Sequence, residues 1–125
     1  MMIARETDFV HAMHEFSIMQ AALDTAGEKA RAAGAARIHR LTLRVGALSG
    51  VVPEALRFAF DALKEKSPAA AAELEIESVP AVGWCAGCVA EFAVAEMNYE
   101  CPRCRRPSGE LRRGKEMDLA SLEIS

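Results

Sequence analysis

Apolar and polar positions alternate with changing period along this chain. Phe16, Met19, Leu23, Ala26, Ala30 and Ala33 step by three and four. That spacing gathers them on one face of a helix, and Gly34 is suited to ending it. His39, Leu41, Leu43 and Val45 then alternate with Arg40, Thr42 and Arg44, the two-residue period of a half-buried strand. Gly46 to Gly50 read as a turn, and Pro53 fits the first position of a second helix with Leu56, Phe60 and Leu63 on its apolar face, ending before Pro68. Leu74 and Ile76 alternate with Glu73, Glu75 and Glu77 in a second strand. Met117 and Leu119, then Leu122 and Ile124, make a last strand whose alternation slips near Ala120-Ser121, as at a bulge. The predicted order is helix, strand, helix, strand, a cysteine-bearing loop, strand. The loop is thus an insertion between two strands expected to pair.

That loop holds all four cysteines of the chain, as Cys85-Ala-Gly-Cys88 and Cys101-Pro-Arg-Cys104, with twelve residues between the pairs. Two residues inside each pair allow a tight knuckle that presents two sulfurs, and twelve allow a short hairpin to bring the knuckles together. A tetrahedral zinc–thiolate cage follows. A disulfide framework is disfavoured, and iron in the same cage is the lesser alternative.

The 125 residues suit one compact domain with a small appendage. Net charge is −3, so no global basic footprint invites nucleic acid, and no apolar run approaches the ~20 residues of a membrane span. Met1 to Ala12 include Arg5, Glu6 and Asp8, which does not fit a secretory signal. Reduced thiols without that signal predict a cytoplasmic protein.

Two further features carry chemistry. Between Arg103 and Lys115 lie six basic residues against Glu110 alone. A zinc-ribbon module that binds nucleic acid or a protein would look like this. Compensation of thiolate charge explains it better, because Trp84, Phe92 and Tyr99 are not interleaved with the arginines. A thiol oxidoreductase fits least, since two pairs at this spacing argue for a shared metal. Of the histidines, His39 has the parity of a half-buried strand residue and His11 reads as solvated. His14 stands at the first helix's entrance, followed by Glu15. On spacing alone it is most simply a surface residue, with Glu15 near the positive end of the helix dipole. An imidazole joined by backbone nitrogens is nonetheless a square that suits nickel(II).

Met13-His14-Glu15-Phe16-Ser17-Ile18-Met19 resembles the amino terminus of the HypA/HybF family of nickel-insertion accessory proteins for [NiFe]-hydrogenase maturation. The likeness continues through Val45 to Phe58, both cysteine pairs and Gly114-Lys115-Glu116-Met117-Asp118-Leu119. It implies an α+β fold: two helices packed on a small three-stranded antiparallel sheet, with an inserted four-cysteine zinc-ribbon lobe. Residues 13–82 and 112–125 would form the nickel-binding domain and residues 83–111 the zinc lobe, after an unstructured extension of residues 1–12. The resemblance further implies that His14 ligates nickel, with Met13 and Glu15 adding backbone nitrogens, while Cys85, Cys88, Cys101 and Cys104 hold zinc. The protein would be a carrier and not an enzyme. Its expected partners are a nickel-handling GTPase and the hydrogenase large-subunit precursor, with no membrane or nucleic acid. Family members begin at the Met of Met-His-Glu, where a terminal amine can join the nickel square. Here twelve residues precede Met13: with them its nitrogen is an amide, whereas translation from Met13 would give the family's terminal amine.

Overall fold

The computed structural model describes the backbone from residue 6 to residue 125, and side chains from His14 onward. The chain forms two compact units. One takes in residues up to Leu43, Val51–Ile76 and Asp118–Ser125, and the other Arg44–Gly50 with Glu77–Met117. The second unit draws on more of the chain than the 83–111 segment around the cysteines.

Helix α1 spans Glu6–Ala32, so it starts inside the stretch for which the sequence carries no structural signal; residues 1–5 lie outside the described residues. Met19, Leu23, Ala26 and Ala30 on its apolar stripe are buried. The helix ends as expected. Gly34 adopts a φ of 73°, a left-handed conformation that costs glycine nothing, and the Ala35 N–H returns to the Ala30 carbonyl at 2.8 Å. Helix α2, Pro53–Leu63, buries Leu56, Ala59 and Phe60, and a short 3-10 turn, Lys64–Lys66, follows it. Each large apolar side chain so buried contributes roughly 1.5–3 kcal/mol relative to exposure.

Strands β1 (Ile38–Gly46), β2 (Glu73–Val79) and β6 (Met117–Ile124) form a three-stranded sheet in the order β2-β1-β6. Two expectations are corrected here. The strands flanking the cysteine loop do not pair with each other, because β1 lies between them. Leu41 and Leu43 are fully buried, so β1 is the most apolar strand and takes the centre. The glutamates of β2 favour an edge, where charge also discourages further strand pairing. The sheet is also mixed, not all antiparallel. Arg40 reaches Glu73 and Glu75, and Arg44 reaches Glu77, so β1 and β2 advance together. Such a parallel pair needs a crossover, and α2 supplies it. Against β6 the sense reverses, with Arg37 bonded to Ser125 and Gly46 to Glu116. Burial along β6 slips between Leu119 and Ala120, where the sequence alternation slips. His39, expected to be half-buried, is exposed and hydrogen-bonds through Nε2 to Ser125 Oγ. Position 39 is the second residue of the strand, beside the C-terminal Ser125.

The second unit has a sheet of its own, β4-β3-β5, from β3 (Val82–Cys85), β4 (Ala90–Ala93) and β5 (Glu110–Arg113). Both pairings are antiparallel. Its small core consists of Ala81, Cys85, Phe92, Val94 and Cys101, with Leu48, Tyr99 and Leu111 packed against it. A Cβ on Gly83 would stand 2.7 Å from the Phe92 ring, so glycine there lets the ring lie on β3.

Candidate metal centre

Each cysteine pair sits on a tight turn. Cys85 ends β3 and Cys88 lies in the hairpin turn to β4, with Cys85 paired to Ala90. Cys101 and Cys104 lie in a second turn, where the Arg105 N–H donates to the Cys101 carbonyl and the Cys101 N–H to the Arg106 carbonyl. The two turns share one geometry. The residue after each second cysteine has positive φ, 51° at Val89 and 62° at Arg105, which is strained for a β-branched residue such as valine. The Cys88 N–H points at Cys85 Sγ at 3.4 Å, and backbone N–H groups of Cys104 and Arg103 act likewise on Cys101. Ser108 fastens the second turn to β3 by donating from Oγ to the Trp84 carbonyl at 2.6 Å.

The four sulfurs lie within 4.8 Å of one another, with Cys85 and Cys101 buried. Cys85 and Cys104 Sγ are 3.5 Å apart, and Cys88 and Cys101 Sγ 3.9 Å. A zinc ion bound by four thiolates at ~2.3 Å has tetrahedron edges of roughly 3.8 Å, so the donor set fits such an ion in number, chemistry and size. The thiols differ in acidity. The Cys104 N–H, then that of Arg103, bring Cys101 down to about 7. Hydrogen bonding to Cys104 and Cys85, together with burial, pushes Cys88 up to about 12. Metal capture must therefore displace protons, most of all from Cys88.

Around the cage Arg103, Arg105 and Arg106 are exposed, while Arg112 pairs with Glu110 and Arg113 with Glu91. The Arg112 guanidinium lies 4.3 Å over the Trp84 ring, covering a face on which a nucleobase would stack.

His14 is exposed on α1. Among the described residues the four cysteines are the single group of three or more metal-ligating side chains, so no second set of side chains converges on His14. Inside a helix the N–H of residue i donates to the carbonyl of residue i−4, so the amides of Met13, His14 and Glu15 are occupied within α1. The Glu15 side chain went unrecognised in the sequence. It is 1% exposed and accepts the Val52 N–H at 3.0 Å. Two signals were legible. Position 15 falls in phase with Met19 and Leu23, and Val52, just before Pro53, has no polar atom with which to cap a helix.

Two helices, two three-stranded sheets and four cysteines clustered to the size of one ion define a small α+β protein with a candidate metal centre. Residues 13–124 match the family described as "Hydrogenase/urease nickel incorporation, metallochaperone, hypA". The chain is 46% identical over 112 residues to the hydrogenase maturation factor HypA of Chloroflexus aurantiacus, covering 89% of this chain and 98% of that one. It is 45% identical to that of a Picosynechococcus species, with 90% and 99% covered. The solution structure of the Ni metallochaperone HypA from Helicobacter pylori superposes with a TM-score of 0.63 at 25% identity, over 88% of this chain and 96% of that one. The chain belongs to the HypA family of hydrogenase maturation nickel metallochaperones. Among the described residues no helix is long and apolar enough to cross a membrane.

Proposed function

We propose that this protein carries Ni(II) on His14 and helps insert it into the [NiFe]-hydrogenase large subunit in the cytoplasm, while Cys85, Cys88, Cys101 and Cys104 keep one zinc ion as part of the fold. A nickel-handling GTPase and the large-subunit precursor are its partners. The observation that supports this division is the contrast between the two places. The four sulfurs close a partly buried cage of tetrahedral size, and metal in such a cage is folding free energy, held and not passed on. His14 is a single exposed imidazole on α1, open to exchange. A zinc ion in the cage supplies a four-way crosslink for a unit whose apolar core is small.

Nickel needs further ligands beside His14, and the backbone nitrogens of residues 13–15 are the nearest. They become available when the helix around them unwinds and the amides give up their protons. Nickel(II) supports this exchange where zinc does not, because it favours a planar nitrogen square. Selectivity then comes from geometry, and release from refolding of the turn.

Nickel titration of the zinc-loaded protein, followed by calorimetry and visible absorption, tests the proposal. His14→Ala should abolish specific nickel binding and leave zinc content and helical signal unchanged. A form starting at Met13 should bind more tightly, because an amine coordinates without the cost of amide deprotonation. In cells, His14→Ala should lose hydrogenase activity and recover it with excess nickel. Normal nickel binding and maturation by His14→Ala would refute the carrier role.

A further inference from the structure

Helix α2 has no cap of its own. Its N-cap residue, Val52, makes no side-chain hydrogen bond to the helix, although the first N–H groups of a helix lack partners within it. The Glu15 carboxylate on α1 accepts the Val52 N–H at 3.0 Å and brings negative charge to the positive end of α2. Burying a carboxylate to 1% exposure is costly. The acid is thus held there for its hydrogen bond to the head of α2 and not for packing alone.

Its neighbours point to that purpose. His14, one residue earlier, is exposed. One residue later Phe16 meets Phe58 of α2 edge to face, with ring centroids 5.9 Å apart, and Met19 is fully buried. Glu15 is therefore where α1 becomes fastened to α2. Unwinding of α1 that reaches His14 therefore meets, at Glu15, the first of the described side chains that hold α2.

We propose that Glu15 is a positioning residue for nickel, whose side chain, by capping α2, fixes the place of the His14 imidazole and limits how much of α1 must unwind. This rests on His14 being the nickel ligand. The Glu15 carboxylate does not touch the ion. It reduces the conformations open to the ligands before the metal arrives, which is preorganisation, and such supporting groups typically account for 10–100-fold in metal affinity.

The test uses the full zinc-loaded chain with nickel as the probe. Glu15→Ala should weaken nickel binding on the order of tenfold and shift the visible absorption of the bound ion, with zinc content unchanged. Glu15→Gln keeps an oxygen that can accept the Val52 N–H, and should restore the wild-type spectrum and an affinity within about threefold. If Glu15→Ala does not fold, Val52→Pro removes the donor from the other side of the same bond and should produce the same weakening and spectral shift. Nickel affinity and spectrum unchanged in Glu15→Ala, or in Val52→Pro where that variant must stand in, would overturn the proposal while loss of binding in His14→Ala left the carrier role intact. Normal binding by His14→Ala would overturn both.

Discussion

Gly46 lies where three stretches of backbone in the second unit meet, and replacing it by alanine is the most severe single-methyl change the structure offers. An ideal Cβ there would stand 2.2 Å from both the carbonyl carbon and oxygen of Gly114 and 2.6 Å from the Lys115 nitrogen. Non-bonded carbon contacts lie at about 3.5–4.0 Å, so the two chains would have to part by roughly 1.3 Å. Both sides are backbone, and neither can turn aside as a side chain would. The same crossing holds the hydrogen bonds Gly46 N–H to Glu116 at 2.8 Å, Leu48 N–H to Gly114 at 2.6 Å and Ala47 N–H to Val79 at 2.9 Å. Overpacking costs about 1–3 kcal/mol, and each of these bonds that lengthens beyond use costs about 1 kcal/mol more. Gly46→Ala should therefore destabilise the unit by roughly 3–5 kcal/mol, a large part of the stability typical of a domain. Urea unfolding at fixed free zinc measures this through Trp84, the chain's one tryptophan, which stands in the second unit. Gly109→Ala is the control. It has no atom within 4 Å and no positive φ, so it should stay within about 0.5 kcal/mol of wild type. A Gly46→Ala protein as stable as the Gly109→Ala control would refute the claim that this crossing is closed to a methyl group.

Metal analysis should find about one zinc per chain, and Cys101→Ser should lose it together with the Trp84 signal while circular dichroism at 222 nm persists; iron, or two disulfides, would count against the cage as read. The Glu116 carboxyl is held below its ordinary range by its own backbone N–H and by that of Gly114, which donates to it at 2.7 Å. A lowered carboxylate stabilises the fold fully above the unfolded value of about 4.3. The stability gap between wild type and Glu116→Gln should thus be constant above about pH 5.5 and close as pH falls below the unfolded value through the lowered one; a gap that widened on acidification would reverse the sign and refute it.

Whatever depends on neighbours in sequence was determined by the sequence itself. The apolar stripe from Met19 to Ala30, the stop at Gly34, Pro53 at the head of α2 and the slip in β6 each follow from spacing within a few residues. The two cysteine pairs were legible for the same reason, since a two-residue gap nearly dictates a turn with two sulfurs on one side. Strand order was not legible. The alternation in β1, β2 and β6 says that each is half-buried and leaves open which lies beside which; burial of Leu41 and Leu43 decided that β1 is central. The parallel sense of β1 and β2 likewise depends on α2 crossing over the sheet. Glu15 shows the limit most plainly. Its phase with Met19 marked it as inward-facing, yet only the folded chain brings to it the Val52 N–H, 37 positions away, a donor that stabilises an inward-facing acid.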